Sequence, residues 1–288
     1  MTAPTRPVVR WHGGKWKLAA WVIAHFPPHR VYVEPFGGGA SVLLRKARCY
    51  AEVYNDLDDE IVNLFLVLRD DAASGRLLTL LDLTPFSRGE FNGAYEKTSH
   101  PVERARRLLI RSFMGFGSDG SNSEWRTGFR ANSSRSGTTP AHDWMNYPGA
   151  LRMAIARLRG VVIENRDACA VMAAHDSSDT LHYCDPPYLH ETRSRKSRRR
   201  GVGGVAAYRH EMTDDDHARL LAFLGDIEGM AVVSGYPSPL YDAALAGWRR
   251  VQCAAHADGA RDRTEVLWIN PAAAARLDAR LPFEGAAA

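Results

Sequence analysis

The chain has 288 residues, 45% of them hydrophobic and 24% charged, a composition that excludes collagen-like, disordered and disulfide-scaffold chains. At about 150 residues per domain, this length admits one large α/β domain or a core carrying a second, smaller module. Lys and Arg number 37 against 33 Asp and Glu, a net charge of +4 that is too mild to identify a partner, so the location of the charge matters more than its sum.

From the N-terminus, Arg10-Trp11-His12-Gly13-Gly14-Lys15 comes first. Lys15 could pair with a carboxylate and Trp11 could pack on a ligand, but a Gly-rich lead-in to an ordinary helix explains the same residues. Short apolar runs predict strands at Val31–Val33, Ala51–Tyr54, Val161–Ile163, Thr180–Cys184, Met230–Ser234, Trp248–Cys253 and Glu265–Ile269. Helical patterns lie between them at Ala40–Ala47, Asp58–Leu68, Ala168–Ala174, Asp214–Leu224 and Leu240–Leu245. This alternation predicts a parallel, doubly covered sheet, and the short connection at Asp258–Arg263 predicts a last strand that returns antiparallel. Between residues 71 and 160 the alternation stops. That stretch carries helical patterns at Arg88–Lys97, Val102–Phe113 and Pro148–Leu158 around a Ser/Gly/Asn/Arg-rich segment, Gly115–Thr139. Its 13 basic against 8 acidic residues give +5, and it reads as an inserted module. A second irregular stretch, Thr192–His210, holds Arg193, Arg195, Lys196, Arg198, Arg199 and Arg200 and no acid, as a basic loop would. With these two segments removed, the rest of the chain is acidic.

Three strand ends carry chemistry-bearing residues. Val31-Tyr32-Val33-Glu34-Pro35-Phe36-Gly37-Gly38-Gly39-Ala40-Ser41 runs from a strand through three glycines into a helix. Glycines there let the backbone approach a ligand, although a tight turn without one would use them too. The G-x-G-x-x-G spacing of dinucleotide folds is absent. About twenty residues on, Tyr54-Asn55-Asp56-Leu57-Asp58 follows the second strand, where a carboxylate meets the ribose hydroxyls of a nucleoside-containing cofactor. Asp56 is the choice for that role, and Asn55, Asp56 or Asp58 could equally cap the next helix. The third, His182-Tyr183-Cys184-Asp185-Pro186-Pro187-Tyr188, is the most informative. Two prolines remove two backbone donors and fix φ. Asp185 and the Pro186 carbonyl can then accept from a planar amino group, while Tyr188 offers a face for a base.

No stretch reaches the roughly 20 apolar residues of a membrane span, and the first thirty residues lack a signal-peptide pattern, so a cytoplasmic location is expected. Cys49, Cys169, Cys184 and Cys253 form no C-x-x-C pair and the 11 histidines no H-E-x-x-H cluster. Buried, reduced thiols and no metal are expected.

Taken in order, the W-x-G-G-K segment at Trp11–Lys15, the E-P-F run at Glu34–Ser41, Asn55-Asp56, Asp185-Pro186-Pro187-Tyr188 and the final-strand segment Arg263–Trp268 resemble the Dam-like (D12 class) adenine-specific DNA N6-methyltransferases. The resemblance implies a Rossmann-like seven-stranded methyltransferase sheet with an inserted, mainly helical target-recognition module. The boundaries expected are residues 1–70 and 161–288 for the methyltransferase domain and 71–160 for the insert. It further implies S-adenosyl-L-methionine as cofactor and site-specific transfer of its methyl group to N6 of an adenine flipped out of double-stranded DNA, in the manner of restriction-modification enzymes. The cofactor-binding residues would be Trp11, Lys15, Glu34, Phe36, Gly37, Gly38, Gly39, Asp56 and Asp185, and the catalytic ones Asp185, Pro186, Pro187 and Tyr188. Ala40 departs from the pattern, standing where the family often has its second glycine, and the density of the Arg193–Arg200 run is unusual. For DNA contact, that run and Arg104, Arg106, Arg107, Arg111, Arg126 and Arg130 of the insert, with Trp125 and Phe129, are candidates, a solvated helix face being the alternative. Methylation of an exocyclic amine in RNA, or a non-catalytic DNA-binding protein, are the competing functions.

Overall fold

The structure, a computed structural model, describes residues 4–117, 126–132, 137–189, 192, 210–257 and 261–280. Seven strands, β1 (Val31–Glu34), β2 (Ala51–Asn55), β3 (Val161–Glu164), β4 (Thr180–Cys184), β5 (Met230–Gly235), β6 (Arg249–Ala257) and β7 (Arg261–Ile269), form one sheet in the order β3-β2-β1-β4-β5-β7-β6. Strand β1 pairs parallel with both β2 and β4, and β4 parallel with β5. Strand β7 runs antiparallel between β5 and β6, as the short final connection predicts. All seven expected strands form, and β6 and β7 extend beyond the expected ends because they pair along nine residues with each other.

Two compact units divide the chain. One comprises Met1–Trp16, Gly38–Arg45 and Asp58–Asn165, the other Lys17–Gly37, Lys46–Leu57 and Arg166–Ala288. In the second unit, Val33, Val53, Cys184, Ala231, Val233, Val266 and Trp268 of the strands pack with Val171, Met172, Leu220, Leu221 and Leu224 of the helices Ala168–His175 and Asp214–Asp226. Every residue of β4 and β5 is buried, as expected of central strands covered on both faces. The one histidine among them, His182, meets Asp176 at 3.0 Å, and burial lowers its pKa so that the neutral ring is favoured. Helix Asp214–Asp226 starts on a capping box, Thr213 and Asp216 each bonding the other's backbone N–H.

The first unit is built on helices Asp59–Arg69, Asp71–Leu83, Pro101–Met114 and Tyr147–Leu158. Asp71–Leu83 and two shorter helices, Ala19–Ala24 in the second unit and Pro140–Met145 in the first, were not expected from apolar spacing; nor was the C-terminal Pro271–Arg280. Helix Pro101–Met114 buries Val102, Ala105, Leu108, Leu109 and Phe113 on one face, with proline in its first turn where no N–H is needed. Its arginines are held inside the unit. Arg104 pairs with Asp59 at 2.8 Å, Arg106 with both Glu103 and Glu90 at 2.8 Å, and Arg107 with Glu103 at 2.8 Å. Buried Arg111 makes a two-pronged bond to Glu60 at 2.8 and 3.0 Å and donates to the Ala94 carbonyl. Arg130 donates to the Phe113 carbonyl, and Arg126 lies over the Tyr95 ring. These residues are therefore part of the unit's own packing, which the spacing of charges alone does not reveal. Trp125 and the Arg193–Arg200 run lie outside the described residues.

Hydrogen bonds from Arg106, then Arg107, hold the Glu103 carboxyl down at about 2, from an ordinary value near 4.5. A depressed carboxyl stabilises the fold above its unfolded value and loses that contribution as pH falls through the folded one. Stability to urea should accordingly drop between about pH 4.5 and 2, and Glu103→Gln should flatten that part of the profile. A parallel profile for the variant would refute the assignment.

Candidate active site

In the second unit, β1 ends at Glu34, a buried carboxylate that accepts from the equally buried Tyr32 hydroxyl at 2.7 Å. Burial first, and the Glu34 charge second, push the Tyr32 pKa far up and keep the phenol a donor. The turn that follows is fastened to β2. Asn55, fully buried, donates to the Pro35 carbonyl at 2.9 Å and forms a reciprocal pair with the Arg166 backbone at 2.9 and 3.0 Å. The Gly37 N–H reaches the Asn55 carbonyl at 2.8 Å. In the first unit the helix cap falls to Asp58, which accepts from the Glu60 N–H at 2.9 Å. Of the three candidates after β2, Asn55 is thus a fastening and Asp58 a cap, while Asp56 lies half-buried beyond the strand's carboxyl end.

The glycines have a physical reason other than ligand approach alone. A Cβ on Gly37 would lie 2.1 Å from the Tyr54 ring, within the second unit. In the first unit, a Cβ on Gly38 would lie 2.7 Å from the Trp11 indole, and one on Gly39 3.2 Å from the Trp11 Cβ. Gly38 also has φ +45°, a conformation that favours glycine. Trp11 is thereby brought onto the glycine turn. Its carbonyl accepts from the Gly14 N–H at 3.1 Å, and buried Lys15 reaches the Gly13 carbonyl at 3.3 Å. Ala40, fully buried, has φ +51°. That left-handed backbone costs a non-glycine residue about 1–2 kcal/mol, which explains why glycine suits the position.

The Asp185–Tyr188 turn follows β4 in the second unit, with Pro186 buried and Asp185, Pro187 and Tyr188 half-buried. Ser234 at the end of β5 donates to the Asp185 carboxylate at 2.8 Å, and the Tyr183 hydroxyl meets Ser234 at 3.1 Å. Tyr188 donates from its hydroxyl to buried Glu265 of β7 at 2.5 Å and packs edge-on against Tyr236 with ring centres 4.5 Å apart. Burial above all, then the Asp185 and Glu265 charges, drives the Tyr188 pKa far up and keeps it a phenol. Arg263 covers the Tyr236 ring at 4.8 Å. A small cleft opens here, lined by Tyr188, Leu189, Thr192, Ser234, Gly235, Tyr236 and Tyr241.

A carboxylate, a proline carbonyl and aromatic walls are the acceptors and ring faces that a flat, amine-bearing ring would use. Ser234, Tyr236, Tyr241 and Glu265 belong to this site and went unread in the sequence. Glu265 and Arg263 did fall in the final-strand segment that carries part of the resemblance. Among the described residues no cluster of His, Cys, Asp and Glu could hold a metal ion, and no helix is long and apolar enough to cross a membrane. All four cysteines are unbridged, and only Cys184 is fully buried, so the expectation of buried thiols holds for one of them.

A sequence model of one family, described as D12 class N6 adenine-specific DNA methyltransferase, matches residues 11–224, nearly three quarters of the chain. No curated protein matches it. The matched stretch includes the glycine turn, Asp56 and Asp185–Tyr188, and it ends before Ser234, Tyr236 and Glu265.

Because the Tyr54 ring occupies the place of a Gly37 Cβ, Gly37→Ala should destabilise the protein by about 1–3 kcal/mol through overpacking, read as a lower urea midpoint. An unchanged midpoint would mean that the ring yields its place without cost.

Proposed function

The chain belongs to the D12 class of N6 adenine-specific DNA methyltransferases, and on that premise we propose that it methylates N6 of an adenine flipped out of a specific site in double-stranded DNA, with S-adenosylmethionine as donor. The observation that carries this reading is the Asp-Pro-Pro-Tyr turn at the carboxyl end of β4, opening beside a cleft walled by Tyr188, Tyr236 and Tyr241. The reading also makes residues 71–160 the target-recognition module of a methyltransferase domain formed by 1–70 and 161–288, and it puts the enzyme in the cytoplasm with its DNA.

The donor set fits the cofactor. Glu34, Asp56 and Asp185 follow or end β1, β2 and β4, at the sheet edge where nucleoside cofactors bind. Carboxylates suit both a ribose diol and a cationic sulfonium. The residues of the second unit that would hold it are Glu34, Phe36, Gly37, Asp56 and Asp185. When bound, S-adenosylmethionine supplies an electrophilic methyl group on sulfur.

The protein's task is to present a poor nucleophile, since the N6 lone pair is delocalised into the adenine ring. Hydrogen bonds from the amino group to the Asp185 carboxylate and the Pro186 carbonyl favour a tetrahedral nitrogen and return the lone pair to it. Asp185 acts there as an oriented acceptor and need not be a strong base. Extruding a base from the duplex costs a few kcal/mol, and stacking on Tyr188 returns about 1–3 kcal/mol. Glu265 and Tyr236 fix the plane of that ring. Pro187 holds the turn between acceptor and ring.

The test is transfer of labelled methyl to DNA and to RNA by the purified protein. Label is expected in DNA as N6-methyladenine, and Asp185→Ala should lower the rate at least about 100-fold with the circular dichroism spectrum unchanged. Label in RNA alone, or none in either, would overturn the proposal.

A further inference from the structure

An aspartate in a turn is ordinarily pinned by its own chain, its carboxylate accepting from the N–H two residues on. That anchor is closed to Asp185, because the residue two positions on is Pro187 and proline has no N–H. Pro186, the next residue, has none either. The two prolines of the motif therefore remove that particular anchor. The parallel register supplies a restraint from the neighbouring strand. Tyr183 of β4 lies level with Val232 of β5 and Cys184 with Val233, so the next pair in line is Asp185 and Ser234. Their oxygens are 2.8 Å apart.

Ser234 is fully buried, and its Oγ lies 3.1 Å from the Tyr183 hydroxyl. A serine has one proton to give. With the Ser234 O–H donating to the Asp185 carboxylate, Tyr183 is left to donate to Ser234, and the buried phenol keeps its proton because burial pushes its pKa far up. Tyr183 and Asp185 lie two residues apart and so on one face of the strand line, which lets both reach the same serine. The direction is fixed: Tyr183 to Ser234 to Asp185.

We propose that Ser234, oriented by Tyr183, is a positioning residue that sets the Asp185 carboxylate for the amine it accepts. The inference rests on the methyltransferase reading above and adds to it a group on β5, beyond the stretch that matches the family.

Ser234→Ala should lower the single-turnover rate of methyl transfer by about 10- to 100-fold, the scale of a misplaced acceptor. KM for DNA and the affinity for S-adenosylmethionine should change by no more than about twofold, because a positioning residue acts on the reacting geometry and not on uniform binding. Ser234→Thr, which keeps the hydroxyl, should recover most of the rate. Tyr183→Phe should cause a smaller loss with the same split between rate and KM, and it decides the matter if Ser234→Ala does not fold. An unaltered rate in Ser234→Ala, or an equal loss in folded Ser234→Ala and Ser234→Thr, would overturn the inference while leaving the methyltransferase reading intact. A rate loss matched by an equal rise in KM would also overturn it. Failure of the unaltered protein to transfer methyl groups would instead remove the reading on which it rests.

Discussion

The pairing of β1 with β4 is the constraint on which the candidate site depends. From β1 the chain passes to β2 on one side of the sheet, and β4 passes to β5 on the other, so these two neighbours are where the winding reverses. With Val31 level with Thr180 and Val33 level with His182, the turns that begin at Glu34 and Asp185 leave the same edge together. A crevice at such a reversal is where doubly wound sheets take ligands. The next strands then complete the site in order: Ser234 from β5 and Glu265 from β7. Strand β7 inserts between β5 and β6, which is what brings a buried glutamate within reach of the Asp-Pro-Pro-Tyr tyrosine.

Much of this sheet can be read from sequence because strand cores are locally encoded. Thr180–Cys184 and Met230–Ser234 are short apolar runs, and short apolar runs are what buried parallel strands require. Helix Asp71–Leu83 was harder to read, because Asp71 follows directly on Asp70, which caps it, and its alanine, serine and glycine start gives little apolar periodicity. The Asp-Pro-Pro-Tyr turn is legible as chemistry, since its residue types are confined to six positions from Tyr183 to Tyr188. Its supports are not. Ser234 lies 49 residues from Asp185 and Glu265 lies 77 from Tyr188, and a lone serine or glutamate in an apolar strand carries no signal until the register of the sheet is known.

Charge illustrates the same limit. The arginines of Pro101–Met114 look in sequence like a basic face, and in the fold they meet Asp59, Glu60, Glu90 and Glu103. Burying an arginine such as Arg111 is tolerable only with a well-formed partner, which the two oxygens of Glu60 provide. The +5 of the 71–160 stretch is thus partly absorbed by the helices themselves, with Asp59 and Glu60 contributing from outside its boundary.

The rings against the glycines bear on how a ligand would be received. Tyr54 fills the space beside Gly37 and Trp11 that beside Gly38, while the Gly37 N–H and the Pro35 carbonyl are both tied to Asn55. A bare triglycine segment would sample many shapes and would have to be ordered by whatever it binds. Here that loss of conformational entropy is incurred during folding, so association is left with a preorganised backbone. The residue type with the greatest backbone freedom is thereby held in place, each glycine by a ring of its own unit.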